Sequence, residues 1–81
     1  MYTVYILLCR DKTLYTGITT DVKRRFEEHK KGEGAHYTRA HKPLRMVYTE
    51  NAKDRSAASK RESQIKRYSR VEKLALIAHH K

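Results

Sequence analysis

The chain opens on an almost unbroken apolar run, YTVYILLC at residues 2–9, rich in β-branched and aromatic side chains. Such a run predicts a central strand, because a strand covered on both faces shows little polar alternation. Residues 10–12 (RDK) break the run, and TLYTGIT (13–19) predicts a second strand paired back onto the first. The period then changes. Asp21 is a helix N-cap candidate, and a helix is expected from Val22 to about Lys31, closed by Gly32. GEGAHYTRAH (32–41) predicts a loop with room for one short helical turn. Pro43 opens a third strand, LRMVYTE (44–50), at a position where its missing N–H is tolerated. Asp54 to Tyr68 reads as a long basic helix, and Ser69 and Glu72 stand at capping-box spacing, which starts a fresh one. Val71, Leu74, Ala75 and Ala78 are the stripe of that last helix expected to pack, and His79, His80 and Lys81 suit its C-terminal end electrostatically. The terminal histidine pair reads as a solvated chain end rather than a metal site.

This element order, ββα(α)βαα, predicts an α+β fold: a small three-stranded antiparallel sheet flanked by helices, in one domain spanning residues 1–81. A chain of 81 residues has a small core, burying only ~60–65% of the surface it exposes when unfolded. It has no apolar run of the ~18 residues a transmembrane helix needs, and its first residues are strand-like rather than those of a signal peptide. A cytoplasmic protein without membrane contact is expected. The single cysteine, Cys9, excludes an intrachain disulfide and a Cys-rich zinc site, and reads as a small apolar strand residue.

Charge changes the picture more than length does. Nineteen Lys and Arg against nine Asp and Glu leave a net charge of +10, which points to a polyanion partner. Residues 51–73 alone hold eight Lys or Arg and three acids, suited to gripping phosphates. No helix combines a wide apolar face with a purely basic opposite face, as a membrane-surface helix would.

Several polar residues fall on faces that should be apolar. With a three-residue hairpin loop, Cys9 lies opposite Thr13, and Tyr5, Tyr15 and Gly17 share one face of the sheet. Two phenols beside a glycine form a shallow polar site where a ligand can approach the backbone. The bland alternative is a pair of core tyrosines with hydroxyls at the rim. On the first helix Val22, Phe26 and His29 fall on one stripe with Arg25 on its shoulder, and Arg25 and His29 are i,i+4 neighbours. A guanidinium there offers the planar donor fork that suits a phosphate. On the long basic helix Ala58, Glu62, Ile65 and Ser69 share a stripe. The other acids sit at helix starts, in loops, at a strand end or, for Glu27 and Glu28, on an outward helix face. Glu62 is thus the carboxylate expected to point inward, where it needs an arginine partner or a metal. A structural ion pair with Arg25 is the competing explanation.

These residues resemble the GIY-YIG nuclease family. Thr3-Val4-Tyr5 stands where the family has Gly-Ile-Tyr, and Tyr15-Thr16-Gly17 where it has Tyr-Ile-Gly. Arg25 falls at the family's helix arginine, His29 one turn later where the family has His or Tyr, and Glu62 in SKRESQIK at its metal-binding glutamate. The segment GEGAHYTRAHKPLRMVY looks most like the short stand-alone bacterial branch, and also like the nuclease subunit of the eukaryotic junction-cutting complex. RVEKLA (70–75) lies where many family nucleases carry an asparagine, and the short bacterial branch lacks it too. The resemblance implies a metal-dependent endonuclease that hydrolyses phosphodiester bonds in DNA, branched or damaged DNA included, with a role in DNA repair. Tyr5, Tyr15, Arg25, His29 and Glu62 are the implied catalytic set. Glu62 would hold Mg²⁺ or Mn²⁺, Tyr5 would deprotonate water with Tyr15 and His29 positioning or relaying, and Arg25 would neutralise phosphate charge. Gly17, Lys23, Arg24, Tyr37, Arg39 and Lys66 are the expected nucleic-acid contacts. The alternatives are a nucleic-acid-binding module of the same fold with weak or no catalysis, and a subunit that needs a protein partner for activity; DNA is the expected nucleic acid, with RNA left open.

Overall fold

The structure is a computed structural model and describes residues 1–79; the expectations for His80 and Lys81 lie outside the described residues. The apolar run becomes β1 (Tyr2–Cys9), the centre of a three-stranded antiparallel sheet, with β2 (Leu14–Thr19) on one side and β3 (Pro43–Ala52) on the other. The hairpin between β1 and β2 has the expected three-residue loop. The Thr13 carbonyl accepts from Cys9 N–H at 2.9 Å, the Cys9 carbonyl accepts from Lys12 N–H at 2.9 Å, and Lys12 takes a left-handed φ of 68°. That turn fixes the register, so Tyr5 pairs with Gly17 and Leu7 with Tyr15.

Alternation along β1 then assigns its two faces. Val4 and Ile6 meet Tyr48 of β3 and Ala58 and Ile65 of α3 (Arg55–Lys66) in the apolar core. Tyr5, Leu7 and Cys9 point the other way and are equally buried, under α1 (Val22–Lys30) and α2 (His36–His41). A sheet covered on both sides explains why β1 reads as continuously apolar. Among the described residues no helix is long and apolar enough to cross a membrane.

Local chemistry sets the helix ends. The Asp21 and Asp54 side chains accept from Arg24 N–H and Ala57 N–H, and Ser69 and Glu72 cap each other's backbone reciprocally. At the end of α1, Gly32 adopts φ 79°, while Gly32 N–H and Glu33 N–H donate to the carbonyls of His29 and Glu28. This double bond pattern closes the helix one residue before the predicted Lys31.

Four further boundaries or faces differ from the sequence reading. The short turn is a full α2 of six residues, and β3 continues past Glu50 to Ala52 with two register shifts against β1. The basic helix stops at Lys66 with Arg67 as its cap, not at Tyr68. The last correction concerns α4 (Arg70–Ala78). Val71 is 76% and Leu74 44% exposed, and Ala75 and Ala78 are exposed as well; Leu76 and Ile77 pack on the core instead. Apolar residues nearly encircle this helix, so periodicity alone does not choose a face. The side that meets the core is the one carrying Leu76 and Ile77.

Candidate active site

Gly17 sits opposite Tyr5 in the β1–β2 ladder, and the Tyr5 ring lies down over it. A Cβ at position 17 would fall 2.5 Å from the Tyr5 hydroxyl oxygen, 2.6 Å from Cζ and 3.2 Å from Cε2 of Tyr15. The space over the glycine, expected to be open to a ligand, is occupied by the Tyr5 ring. Tyr5 keeps only 1% of its surface in solvent, whereas Tyr15 is half-buried. The two rings are 6.4 Å apart, and His29 lies 5.8 Å from the first and 5.4 Å from the second.

His29 is the only fully buried residue of α1. Its Nε2 is 2.8 Å from the Tyr5 hydroxyl and its Nδ1 is 2.6 Å from the Thr38 hydroxyl on α2. The Thr38 hydroxyl proton is spent on the Ala35 carbonyl at 3.0 Å, so Thr38 accepts from Nδ1–H. Nε2 is then unprotonated and accepts from the Tyr5 O–H. The opposite tautomer would use the Ala35 N–H, 3.4 Å from Nδ1. It would also press the Thr38 oxygen against the Ala35 carbonyl without a proton between them, so the first arrangement prevails. Gly34 makes the ring's position possible: a Cβ there would meet Nδ1 at 2.2 Å. Burial, and then the nearby Arg25 cation, push the His29 pKa down to about 4. Burial also pushes Tyr5 up to about 12, with Arg25 working against the rise and the negative charge on Glu62 adding to it. At neutral pH both groups are uncharged, and Tyr5 donates.

Arg25 is half-buried and its guanidinium donates to Glu28 at 3.0 Å. That contact raises the Arg25 pKa, with a smaller contribution from Tyr5. Glu28 is thus a member of the site that the pattern had placed on an outward face; its i,i+3 spacing from Arg25 was the available signal. Glu62 is 22% exposed and pairs with Lys66 at 3.2 Å, one turn along α3. The structural pair between Arg25 and Glu62 is therefore not formed: each has a neighbour on its own helix. Among the described residues no three or more His, Cys, Asp or Glu gather as a shared metal site, and Glu62 offers a single carboxylate.

The remaining expected contacts divide. Tyr37 joins the cluster, its ring stacked 5.6 Å from Tyr15. Lys23 and Arg24 stand exposed on α1, Arg24 reaching Glu28 at 3.8 Å. Arg39 is exposed and donates to the Gly32 carbonyl at 3.2 Å. Thr38 and Gly34 were missed, since both lie in a segment without a sustained pattern. Cys9 is free and buried, as expected.

A three-stranded antiparallel sheet carrying two tyrosines and a glycine across one hairpin, with an arginine and a histidine on the helix that follows, defines a class. Residues 1–75 match the family model described as the GIY-YIG catalytic domain, and the chain belongs to the GIY-YIG family. Membership implies nuclease-type chemistry with nucleic acid as substrate. Within the family the chain is similar to UPF0213 proteins. It is 53% identical over 75 residues to one from Natronomonas pharaonis, covering 93% of this chain and 88% of that one. A relative from Staphylococcus aureus is 49% identical over 74 residues, covering 91% and 90%. The solution NMR structure of a UPF0213 protein from Bacillus halodurans matches with a TM-score of 0.61 and 43% identity, covering 96% of this chain and 84% of that one.

Proposed function

We propose that the protein is a metal-dependent endonuclease that hydrolyses phosphodiester bonds in DNA. The observation that carries this reading is the enclosed chain Tyr5–His29–Thr38 beside Arg25, with the phenol of Tyr15 at its solvent side. Arg25 is half-buried beside that chain, and its planar fork is suited to hold a nonbridging phosphate oxygen and the charge that grows on it. Tyr15 is less deeply buried than Tyr5, and it is the phenol we assign to the attacking water. Tyr5, the sequence-based choice for that role, is buried behind it and keeps His29 in one tautomer and orientation.

Glu62 fits a hard divalent cation. Mg²⁺ and Mn²⁺ keep most of their waters and bind through one or two carboxylates together with substrate phosphate, and a lone carboxylate with a surface-type lysine partner meets that need. When bound, such a cation supplies charge stabilisation to the leaving 3′ oxygen. Its loss of the Lys66 contact costs little, because i,i+4 pairs are worth only ~0.3–0.5 kcal/mol.

Glu62→Gln tests the reading. The variant is expected to melt with the wild type, to bind DNA as well or better, and to lose both divalent-metal binding and cleavage of linear, flapped and four-way substrates. Cleavage at the wild-type rate would refute the assignment. So would a wild type that binds no divalent metal.

A further inference from the structure

The rings of Tyr15, Tyr37 and His41 form a column that leads away from the Tyr5–His29 pair. Tyr15 and Tyr37 stack with centroids 5.6 Å apart and planes at 27°, and Tyr37 and His41 stack at 4.1 Å and 23°. The inner end is Tyr15, the half-buried phenol of the site. The outer end is His41, whose side chain keeps 34% of its surface in solvent. That outer ring is held in place. Its Nδ1 contacts the Asp11 carboxylate, which also accepts from the Thr13 hydroxyl at 2.6 Å. Arg10 N–H donates to the carbonyls of His41 and Lys42, tying the β1–β2 turn to the end of α2.

The chain at the outer end is basic. Arg10 and Lys12 flank Asp11, Lys42 follows His41, and all three cations are exposed, while the carboxylate among them, Asp11, is committed to Thr13 and His41. Pinning α2 to the sheet would need only the inner, packed part of the column. It does not call for a half-exposed ring at the end or for cations around it. Flat rings ending in solvent beside cations match one ligand chemistry: a base with a free face on a phosphate backbone. A base inside a duplex has both faces stacked on its neighbours, so only an unpaired base presents one.

We propose that the Tyr15–Tyr37–His41 column is a stacking platform for an unpaired nucleobase, so that the substrate carries a single-stranded segment beside the scissile phosphate. This rests on the nuclease reading above and names its substrate class. The test is fluorescence anisotropy with chelator present, comparing a labelled thymidine oligonucleotide, an abasic strand of equal length and a duplex. Wild type is expected to hold the thymidine strand about 5- to 150-fold more tightly than the abasic strand, the ratio that one stacked base supplies at ~1–3 kcal/mol. His41→Leu is expected to bring thymidine binding down towards the abasic level and to leave abasic binding unchanged. The wild-type comparison stands even if that variant folds poorly. Equal, salt-sensitive binding of thymidine and abasic strands overturns the platform and leaves the nuclease reading intact. Tighter binding of the duplex than of the thymidine strand also overturns the platform. No binding to any strand overturns both.

Discussion

Acidification from above 6.5 to about 4 probes how firmly His29 is enclosed. Its ring is 1% exposed, packed on Gly34, and bonded at one nitrogen to Tyr5 and at the other to Thr38. Burial and the Arg25 cation disfavour the imidazolium, so the folded pKa is about 4 against an ordinary 6.5. The depressed value means that, between these limits, the unfolded chain takes up a proton the folded chain refuses. Stability from this group is complete above 6.5, falls as pH drops through the window, and levels off below about 4. The shift corresponds to ~3 kcal/mol, a large share of the ~5–15 kcal/mol of a typical domain. For a domain of this size it lowers the melting temperature by on the order of 10–20 °C. The assay is urea unfolding across the window for wild type and for His29→Gln, which cannot titrate. Whatever the two proteins share cancels in the difference. Asp11, held at about 2 by the Thr13 hydroxyl and then by His41, titrates below the window in any case. A difference curve that stays flat would mean that His29 charges as readily as a free histidine, and the enclosed chain would have to be abandoned.

Three further outcomes follow from the same geometry. Gly17→Ala and Gly34→Ala each drive a methyl into a ring that cannot retreat, Tyr5 in one case and His29 in the other; each should cost ~1–3 kcal/mol in a melt, and an unchanged melt would mean the ring has room. Tyr15→Phe should stop cleavage without moving the melt, whereas Tyr5→Phe should also destabilise by ~1–3 kcal/mol because the buried His29 Nε2 loses its donor; equal melts for the two variants would refute the difference in burial. On α4, Val71→Thr should stay within ~0.5 kcal/mol and Ile77→Ala should cost ~1–2 kcal/mol, about half the fully buried value; a reversed order would restore the outer stripe as the packed face.

What the sequence disclosed was mostly local. Asp21, Asp54 and the Ser69–Glu72 box act on backbone groups within one turn, so their spacing alone located three helix starts. The hairpin register followed from loop length, which put Cys9 opposite Thr13 and Tyr5, Tyr15 and Gly17 on one face; the ladder agrees and pairs Tyr5 with Gly17. What stayed hidden depends on neighbours that are distant in sequence. Facing direction put Tyr5 and Tyr15 on one side of the sheet, but their depth is set by α1 and α2. Glu28 looked solvated because its partner Arg25 was assigned inward to a phosphate or to Glu62. Thr38 and Gly34 acquire their roles only once His29 is placed between them.

The unequal burial of the two tyrosines also bears on how such a site makes a base. A phenol at about 12 is ionised only to ~10⁻⁵ at pH 7, and bringing it to neutrality takes ~7 kcal/mol of preferential stabilisation. Arg25 already acts on Tyr5 and is outweighed by burial, while Glu62 adds to the rise. Passing the proton outright to His29 meets the same obstacle from the other side, because that imidazole accepts a proton only near 4. Tyr5 and His29 are therefore matched as a neutral donor and a neutral acceptor, a rigid hydrogen bond rather than a store of charge. Its use to the site is positional: it holds both rings flat against Gly17 and Gly34, and both rings touch Tyr15. On the proposed function the attacking water is therefore assigned to Tyr15, the less deeply buried of the two phenols.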